Sequence, residues 1–373
     1  MLCNSGNGSG KFGTIRERGA GLRTERLRAE VAADVERAAE LLRAGGTVAF
    51  PTETVYGLGA NALDAGAVGK IFWAKERPKW DPLIVHVLGR AMLERVARVE
   101  DEVRGRVEAL MEAFWPGPLT LLLPRTAAVP DAVTAGRDLV GARMPAHAVA
   151  RELIRLAGVP VAAPSANRFG HTSPTTAAHV LADLDGRIDA VLDGGATEVG
   201  VESTVAEVRR DGVSVYRPGA VTAEMIAELV GVVARVVGSV VEGEAKTRTE
   251  ADSFAALRND KEAGLVSPGM GMRHYAPRAR LVLVRGQREL AEEVRRCGAE
   301  VGVMLPDGWD AGNARAIFRW GPWDAAEVLA RLLFAGLREL DEHGVGVIVC
   351  PVPEMGGLGE AIRDRLEKAT RTL

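Results

Sequence analysis

The chain has 373 residues, enough for two domains, and its 47% hydrophobic and 26% charged content is that of an ordinary globular protein. A formal net charge of −3 excludes strong nucleic-acid binding by bulk charge, so any basic site has to be local. The three cysteines (Cys3, Cys297 and Cys350) lack metal-ligand spacing, no apolar run reaches the ~18 residues of a membrane span, and the basic N-terminus has no apolar core behind it. A reduced, cytoplasmic setting is therefore expected.

Residues 1–27 are rich in Gly, Ser and Arg and read as a loose tail. "SGNGSGKF" there comes near a phosphate loop. It carries Ser5 where the pattern needs Gly, Phe12 where it needs Ser or Thr, and no preceding strand. Order is expected from near Glu30. "EVAADVERAAELLRAGG" is helical in period and stops at Gly45-Gly46, and "TVAF" is a short buried strand. "DAGAVGKIFWAKE" is a helix with Asp64 as candidate N-cap, and "PLIVHVL" a strand. In "DEVRGRVEALMEAFW", Val103, Val107, Leu110, Met111 and Phe114 fall on one helical face. "LTLLLP", "LVGARMP", "VPVAAPSAN", "IDAVLDGG", "STVAEV" and "VSVYRPG" supply further strands, with a helix from Thr175 among them. Strands and helices mix without strict alternation, which predicts an α/β domain with a mixed sheet over 28–231.

A polar stretch, "EGEAKTRTEADSFAALRNDKEAG", marks a linker over 232–278. From 279 to 373 strand and helix alternate: "LVLVRG", "RELAEEVRRCG", "EVGVML", "WDAAEVLARLLFAGLRELDEHG", "VGVIVCPVP" and a last helix. This predicts a small Rossmann-like parallel sheet with helices on both faces. "MGGLGEAIRDRL" resembles a dinucleotide fingerprint but has Ile362 where the third glycine belongs, so tight strand-to-helix packing is the better reading.

Four polar groups at strand ends are candidates for chemistry. The first is Thr52, Thr54 and Tyr56, before glycines that allow close approach to a ligand. The second is Lys75, Arg77 and Lys79, held where Pro78 stops a helix, as cations that grip phosphates without a P-loop are held. The third is "APSANRFGHTSPT", with Ser165, Asn167 and Ser173. The fourth is "VESTV" with Ser203 and "VYRPG" with Arg217. Each alone has an ordinary explanation: a strand continuation, a solvated helix end, or Asx- and Ser-turns.

Together, and in order, "PTETVYGLGANA", "KERP…PLIVHV", "WPGPLTLLL", "ARMPAH", "PSAN…G…SPT", "ESTV" and "RPGA" resemble the YrdC-type domain of the threonylcarbamoyl-AMP synthase family. "SPGMGMRHYAPRA" and the α/β unit after it look like the linker and C-terminal domain of that family's long form. The resemblance implies a YrdC-type domain with a twisted mixed sheet and an open cleft. It implies an enzyme that makes L-threonylcarbamoyladenylate and pyrophosphate from L-threonine, bicarbonate and ATP. A separate complex then transfers the threonylcarbamoyl group to an adenosine beside the anticodon of tRNA.

Carried over by motif, the resemblance places Lys75, Arg77, Ser165 and Asn167 as the catalytic tetrad. Thr54, His86, Arg143, Ala163 and Ser203 are implied to hold threonine. Arg77, Asp81, Leu139, Ser165, Ser173, Arg217 and Tyr275 are implied to contact ATP. Two positions depart from the family's pattern. Asp81 replaces an Asn, and so would repel a triphosphate unless it faces Mg²⁺ or solvent. Leu139 replaces a Thr, so only a backbone contact survives there. Mg²⁺ is expected with ATP as substrate, with no protein-held metal, and direct tRNA binding is expected to be weak or absent. Arg77→Ala is expected to lower activity with little effect on stability. The segment around Tyr275 is expected to fold over the cleft, the alternative being that it packs on the second domain. Two rivals stand beside this reading. A carbamoyl-adenylate-forming maturation enzyme would be expected to carry acylphosphatase-like and zinc-finger segments, and no Cys-x₂-Cys pair is present. A tRNA or double-stranded RNA binding module would need interleaved aromatics and more positive charge.

Overall fold

The computed structural model describes residues 23–237, 274–354 and 356–371. The phosphate-loop-like "SGNGSGKF" and the linker's Ser267, Pro268, Gly269 and Gly271 lie outside the described residues. The first domain holds eleven strands: β1 (Glu25–Arg28), β2 (Val48–Phe50), β3 (Gly57–Asn61), β4 (Ile84–His86), β5 (Leu119–Pro124), β6 (Leu139–Arg143), β7 (Val161–Ala162), β8 (Ala190–Asp193), β9 (Thr204–Val208), β10 (Val213–Arg217) and β11 (Ala234–Val236). They form one sheet in the order β1-β8-β2-β3-β7-β4-β6-β5-β9-β10-β11. Neighbours such as β4 and β6 run parallel while β3 and β7 run antiparallel, so the sheet is mixed as the sequence predicts.

Alternation along β2 shows how the sheet is covered. Val48 and Phe50 pack with helices α1 (Ala32–Arg43) and α6 (Ala148–Ala157), while Ala49 joins the opposite core with α2 (Ala65–Lys75) and α4 (Arg104–Phe114). The short helices α3 (Gly89–Leu93) and α5 (Asp131–Thr134), then α7 (Ala177–Leu184) and α8 (Ala223–Val230), complete this domain. Asp64 caps α2 as expected, accepting from the amides of Gly66 and Ala67.

Three local readings change. The glycines of "YGLGA" lie on β3, and Gly57 lines the pocket described below while Gly59 does not. A Cβ at Gly59 would lie 2.7 Å from Phe50 Cε1 and 2.8 Å from Val161 Cγ1, so that glycine serves packing within the sheet, not a ligand. The first sheet also reaches past both expected boundaries. β1 pairs with β8 inside the expected tail, and β11 pairs with β10 beyond Gly231. Both are short edge strands with mixed polarity, which carry little periodic signal.

The second domain has β12 (Arg280–Val284), α9 (Gln287–Cys297), β13 (Val301–Pro306), β14 (Ala316–Gly321), α10 (Ala326–Glu342), β15 (Val347–Pro351) and α11 (Gly357–Thr370). Its four strands are all parallel, in the order β12-β15-β13-β14. Val301, Val303 and Leu305 face α9 while Met304 faces α10 and α11, so helices cover both faces. The strand β14, "AIFRWG", is absent from the sequence reading. Only Ala316 and Trp320 of it are fully buried, so it reads as a loop.

The two domains share a core. Val55 and Val201 of the first pack with Tyr275, Leu329, Leu333 and Phe334. Gly200, with φ +81°, lies so close to α10 that a Cβ there would be 2.4 Å from the carbonyl oxygen of Ala330. No helix among the described residues is long and apolar enough to cross a membrane.

Candidate active site

One pocket gathers most of the sequence-predicted residues. It holds about 520 Å³, open solvent at its mouth included. Its walls include Thr54, Arg77, His86, Arg143, Ala163, Ser165, Ser203, Arg217 and Tyr275. The strand-end expectation needs amending. Ile84 and His86, two apart on β4, both line the pocket, and Arg143 is the register partner of His86 on β6. The floor is thus one face of the central sheet. A register shift between Val215 and Arg217 on β10 lets Tyr216 pack with Ile84 while Arg217, the next residue, also lines the pocket.

One end of the pocket is built around Arg143. Its Nε donates to the Gly117 carbonyl at 3.1 Å, its Nη1 to Thr54 Oγ1 at 3.0 Å, and its Nη2 pairs with Glu53. Thr54 is held in turn by Thr52, with the two hydroxyls 2.8 Å apart. His86 is buried with Nδ1 lacking a hydrogen-bond partner among the described residues. Burial, then the Arg143 charge, push its pKa down to about 3, so the imidazole is neutral at physiological pH.

The other end is strongly cationic. Arg77 donates from Nε to the Asp81 carbonyl at 3.1 Å and from Nη2 to the Pro82 carbonyl at 2.7 Å, and pairs with the Asp81 carboxylate at 2.9 Å. Arg217 donates to the Ser203 carbonyl (2.9 Å) and to Ser203 Oγ (3.1 Å). Burial lowers the pKa of both arginines, as expected for charges removed from water. His274 stands at the centre of this region. Burial, then the charges of Arg77, Lys75, Lys368 and Arg217, hold its pKa well below the usual range.

The remaining expected residues sit behind the walls. Lys75 is 1% exposed, and its Nζ donates to the carbonyls of Ser165 (2.6 Å) and Asn167 (2.5 Å). Asn167 donates to the carbonyls of Arg168 and His171, both at 2.8 Å. Both side chains therefore shape the 165–171 loop in this structure rather than line the pocket. Ser173 is buried and donates to Glu202. Asp81 faces neither solvent nor the pocket, being fully buried against Arg77, which is the outcome the charge argument had left out. Leu139, at the far end of β6 from Arg143, packs near Ile84 and Tyr216. Tyr56 points away from the pocket, its hydroxyl on the Gly195 carbonyl at 2.7 Å, and Lys79 is exposed.

Tyr275 meets both expectations for its segment. Its ring stacks on Phe334 of the second domain at 5.8 Å, and it also lines the pocket. The neighbouring Ala276 amide donates to the Gly170 carbonyl at 2.8 Å, stitching the chain across the cleft. The Tyr275 φ of +63° is unusual for a bulky residue and marks a sharply fixed turn.

Residues 40–219 match a protein family described as "Telomere recombination", and residues 221–370 match the family described as "Threonylcarbamoyl-AMP synthase, C-terminal domain". Threonylcarbamoyl-AMP synthases of Pyrococcus abyssi and Bacillus subtilis are each 42% identical to the chain. The alignments cover 89% and 90% of it and 93% and 92% of those proteins. The chain belongs to the threonylcarbamoyl-AMP synthase family. Its fold agrees with a crystal structure of P. abyssi Sua5 complexed with L-threonine, at TM-score 0.80 and 40% identity over 93% of this chain and 97% of that one.

Within this member of the threonylcarbamoyl-AMP synthase family, the sequence reading missed the wall residues Glu202 and His274, and Glu53, which stands behind the wall on Arg143. Glu53 and Glu202 stand inside the motifs "PTETV" and "ESTV". A carboxylate in a short motif between buried strands needs a cation, and that signal was available. Glu53 finds Arg143, and Glu202 finds Arg365 of α11 at 2.9 Å. No sequence pattern points to Arg365.

Proposed function

We propose that this cleft joins L-threonine, bicarbonate and ATP into L-threonylcarbamoyladenylate and pyrophosphate. The observation that carries the reading is the convergence of Arg77, Arg143 and Arg217 with Thr54, His86 and Ser203 on one pocket. It occurs in a chain alike over nearly its full length to enzymes named for this product. Arg143 takes the threonine carboxylate, with Thr54, Ala163 and the neutral His86 around the rest of the amino acid. Arg77, Ser165, Arg217 and Tyr275 surround the triphosphate. Lys75 and Asn167 act by fixing the loop that presents Ser165, and Ser173 acts through Glu202. Mg²⁺ enters with ATP as part of the substrate; among the described residues no group of three His, Cys, Asp or Glu could hold a metal.

The neutral amine of threonine takes up bicarbonate with loss of water, giving a carbamate. A carbamate oxygen then attacks the α-phosphorus and pyrophosphate leaves. Charge builds on phosphate oxygens, where fixed guanidinium groups stabilise it without a covalent nucleophile. The product's threonylcarbamoyl group is destined for tRNA through a separate transfer complex. Pyrophosphate release is expected only when threonine, bicarbonate, Mg²⁺ and ATP are all present. Equal release with threonine omitted would overturn the reading.

A further inference from the structure

Arg365 belongs to the second domain, yet its side chain is spent on the first. It is fully buried on α11. Its Nε donates to Glu202 Oε2 at 2.9 Å, its Nη2 to the Glu202 carbonyl at 3.2 Å, and its Nη1 to the Pro218 carbonyl at 2.8 Å. Its Cζ lies over the Tyr275 ring, 5.4 Å from the centroid. Glu202 precedes Ser203, and Pro218 follows Arg217. One guanidinium therefore touches, or is one covalent step from, four residues of the pocket wall: Glu202, Ser203, Arg217 and Tyr275.

Burying an arginine is costly, and apolar contacts of Val55 and Val201 with Leu329, Leu333 and Phe334 already join the domains. The charge balance gives a reason for the arginine. Around Arg365 stand Lys368 as the second cation, with Glu202 and Asp364 as the two carboxylates. Arg217 also acts on Arg365 and Glu202, so removing Arg365 lowers the net charge of the group by one and takes the buried ion pair away from Glu202, which faces the pocket. The Arg143 end is different. The hydrogen bonds and ion pairs given above for Thr54 and Arg143 stay within the first domain.

We infer that Arg365 is a positioning residue for the nucleotide half of the site, supplied by the C-terminal domain. It fixes Glu202, the 217–218 turn and Tyr275, and cancels a carboxylate charge that would repel the triphosphate. The inference rests on the function proposed above.

The test uses the full chain. Binding of MgATP and of L-threonine is measured separately by calorimetry, alongside KM for each. Arg365→Met is expected to weaken MgATP binding about thirtyfold or more, the low end for truncating one partner of a buried charge pair. Threonine binding should move less than about twofold. Arg365→Lys, which keeps the charge and loses the fork, should recover part of the MgATP loss. Arg365→Met with Glu202→Gln, which restores the wild-type net charge, should recover more than Arg365→Met alone. Equal loss of both ligands, loss of neither, or a double variant no better than the single would overturn the inference. If the wild-type chain binds both ligands yet releases no pyrophosphate, the proposed reaction falls, and the binding split still decides the role of Arg365.

Discussion

Arg77→Ala removes a guanidinium that is 7% exposed and paired at 2.9 Å with Asp81, itself 0% exposed. The sequence reading expected stability to be almost untouched; burial of the pair changes that. Removing one partner of a buried ion pair costs about 3–5 kcal/mol, because a carboxylate stays in the interior without its cation. Lys75 is still close enough to interact with Asp81, which places the cost near the low end, at about 3 kcal/mol. With a urea m-value of about 2–3 kcal/mol/M, the midpoint for the first domain should fall by about 1 M. Adding Asp81→Asn removes the carboxylate charge that has lost the Arg77 guanidinium, and the remaining loss should shrink to about 1–2 kcal/mol for the hydrogen bonds to the Asp81 and Pro82 carbonyls. Activity should behave differently. If Arg77 acts on the triphosphate, both variants should lose about 2–4 kcal/mol of barrier lowering. Urea midpoints and pyrophosphate release on the same three proteins check both halves. An unchanged midpoint for Arg77→Ala, or a double variant no more stable than the single, would refute the buried-pair reasoning. Recovery of activity in the double variant would remove Arg77 from the phosphate site.

Arg143→Lys keeps a charge beside Glu53 but loses the planar fork, so KM for threonine should rise about tenfold with that for ATP little changed; an unmoved threonine dependence would take Arg143 out of the amino-acid pocket. His86 stays neutral in the folded state down to about pH 3, whereas the unfolded imidazole takes up a proton near 6.5. The unfolded state therefore binds more protons between those values, and stability is lost as pH falls below about 6.5. His86 alone should account for about 2 kcal/mol between pH 7 and pH 5, and His179, pushed down to about 4 mainly by burial, adds in the same direction. Urea midpoints at the two pH values check this, and His86→Gln should narrow the difference; equal midpoints would mean that His86 is hydrated. Gly59→Ala places a methyl against Phe50 and Val161 and should cost about 1–3 kcal/mol in thermal or urea unfolding without changing KM for either substrate.

The two-domain plan, the mixed first sheet, the parallel second sheet and part of the pocket wall were legible in the order of the residues. Those rest on local signals: periodicity in α1 and α4, the apolar run of β5, the Asp64 cap, and polar residues set in fixed motifs between buried strands. Arg217 and Ser203 stood out as polar residues at strand ends, whereas Arg143 came only from the family resemblance. Edge strands β1, β11 and β14 were not legible, since a strand with one covered side or mixed polarity carries no clear period. Which polar groups face the pocket and which stand behind it depends on packing between elements far apart in the chain. Lys75, Asn167 and Asp81 look in sequence like ligand contacts, yet the Lys75 ammonium and the Asn167 amide nitrogen donate to carbonyls in the wall and Asp81 pairs with Arg77. Arg365 shows the limit most plainly. It lies 163 residues from Glu202 in an amphipathic helix, where an arginine reads as a solvated face. Its role comes from the way two domains meet, because a buried charge is assigned its partner by the packing around it and not by its neighbours along the chain.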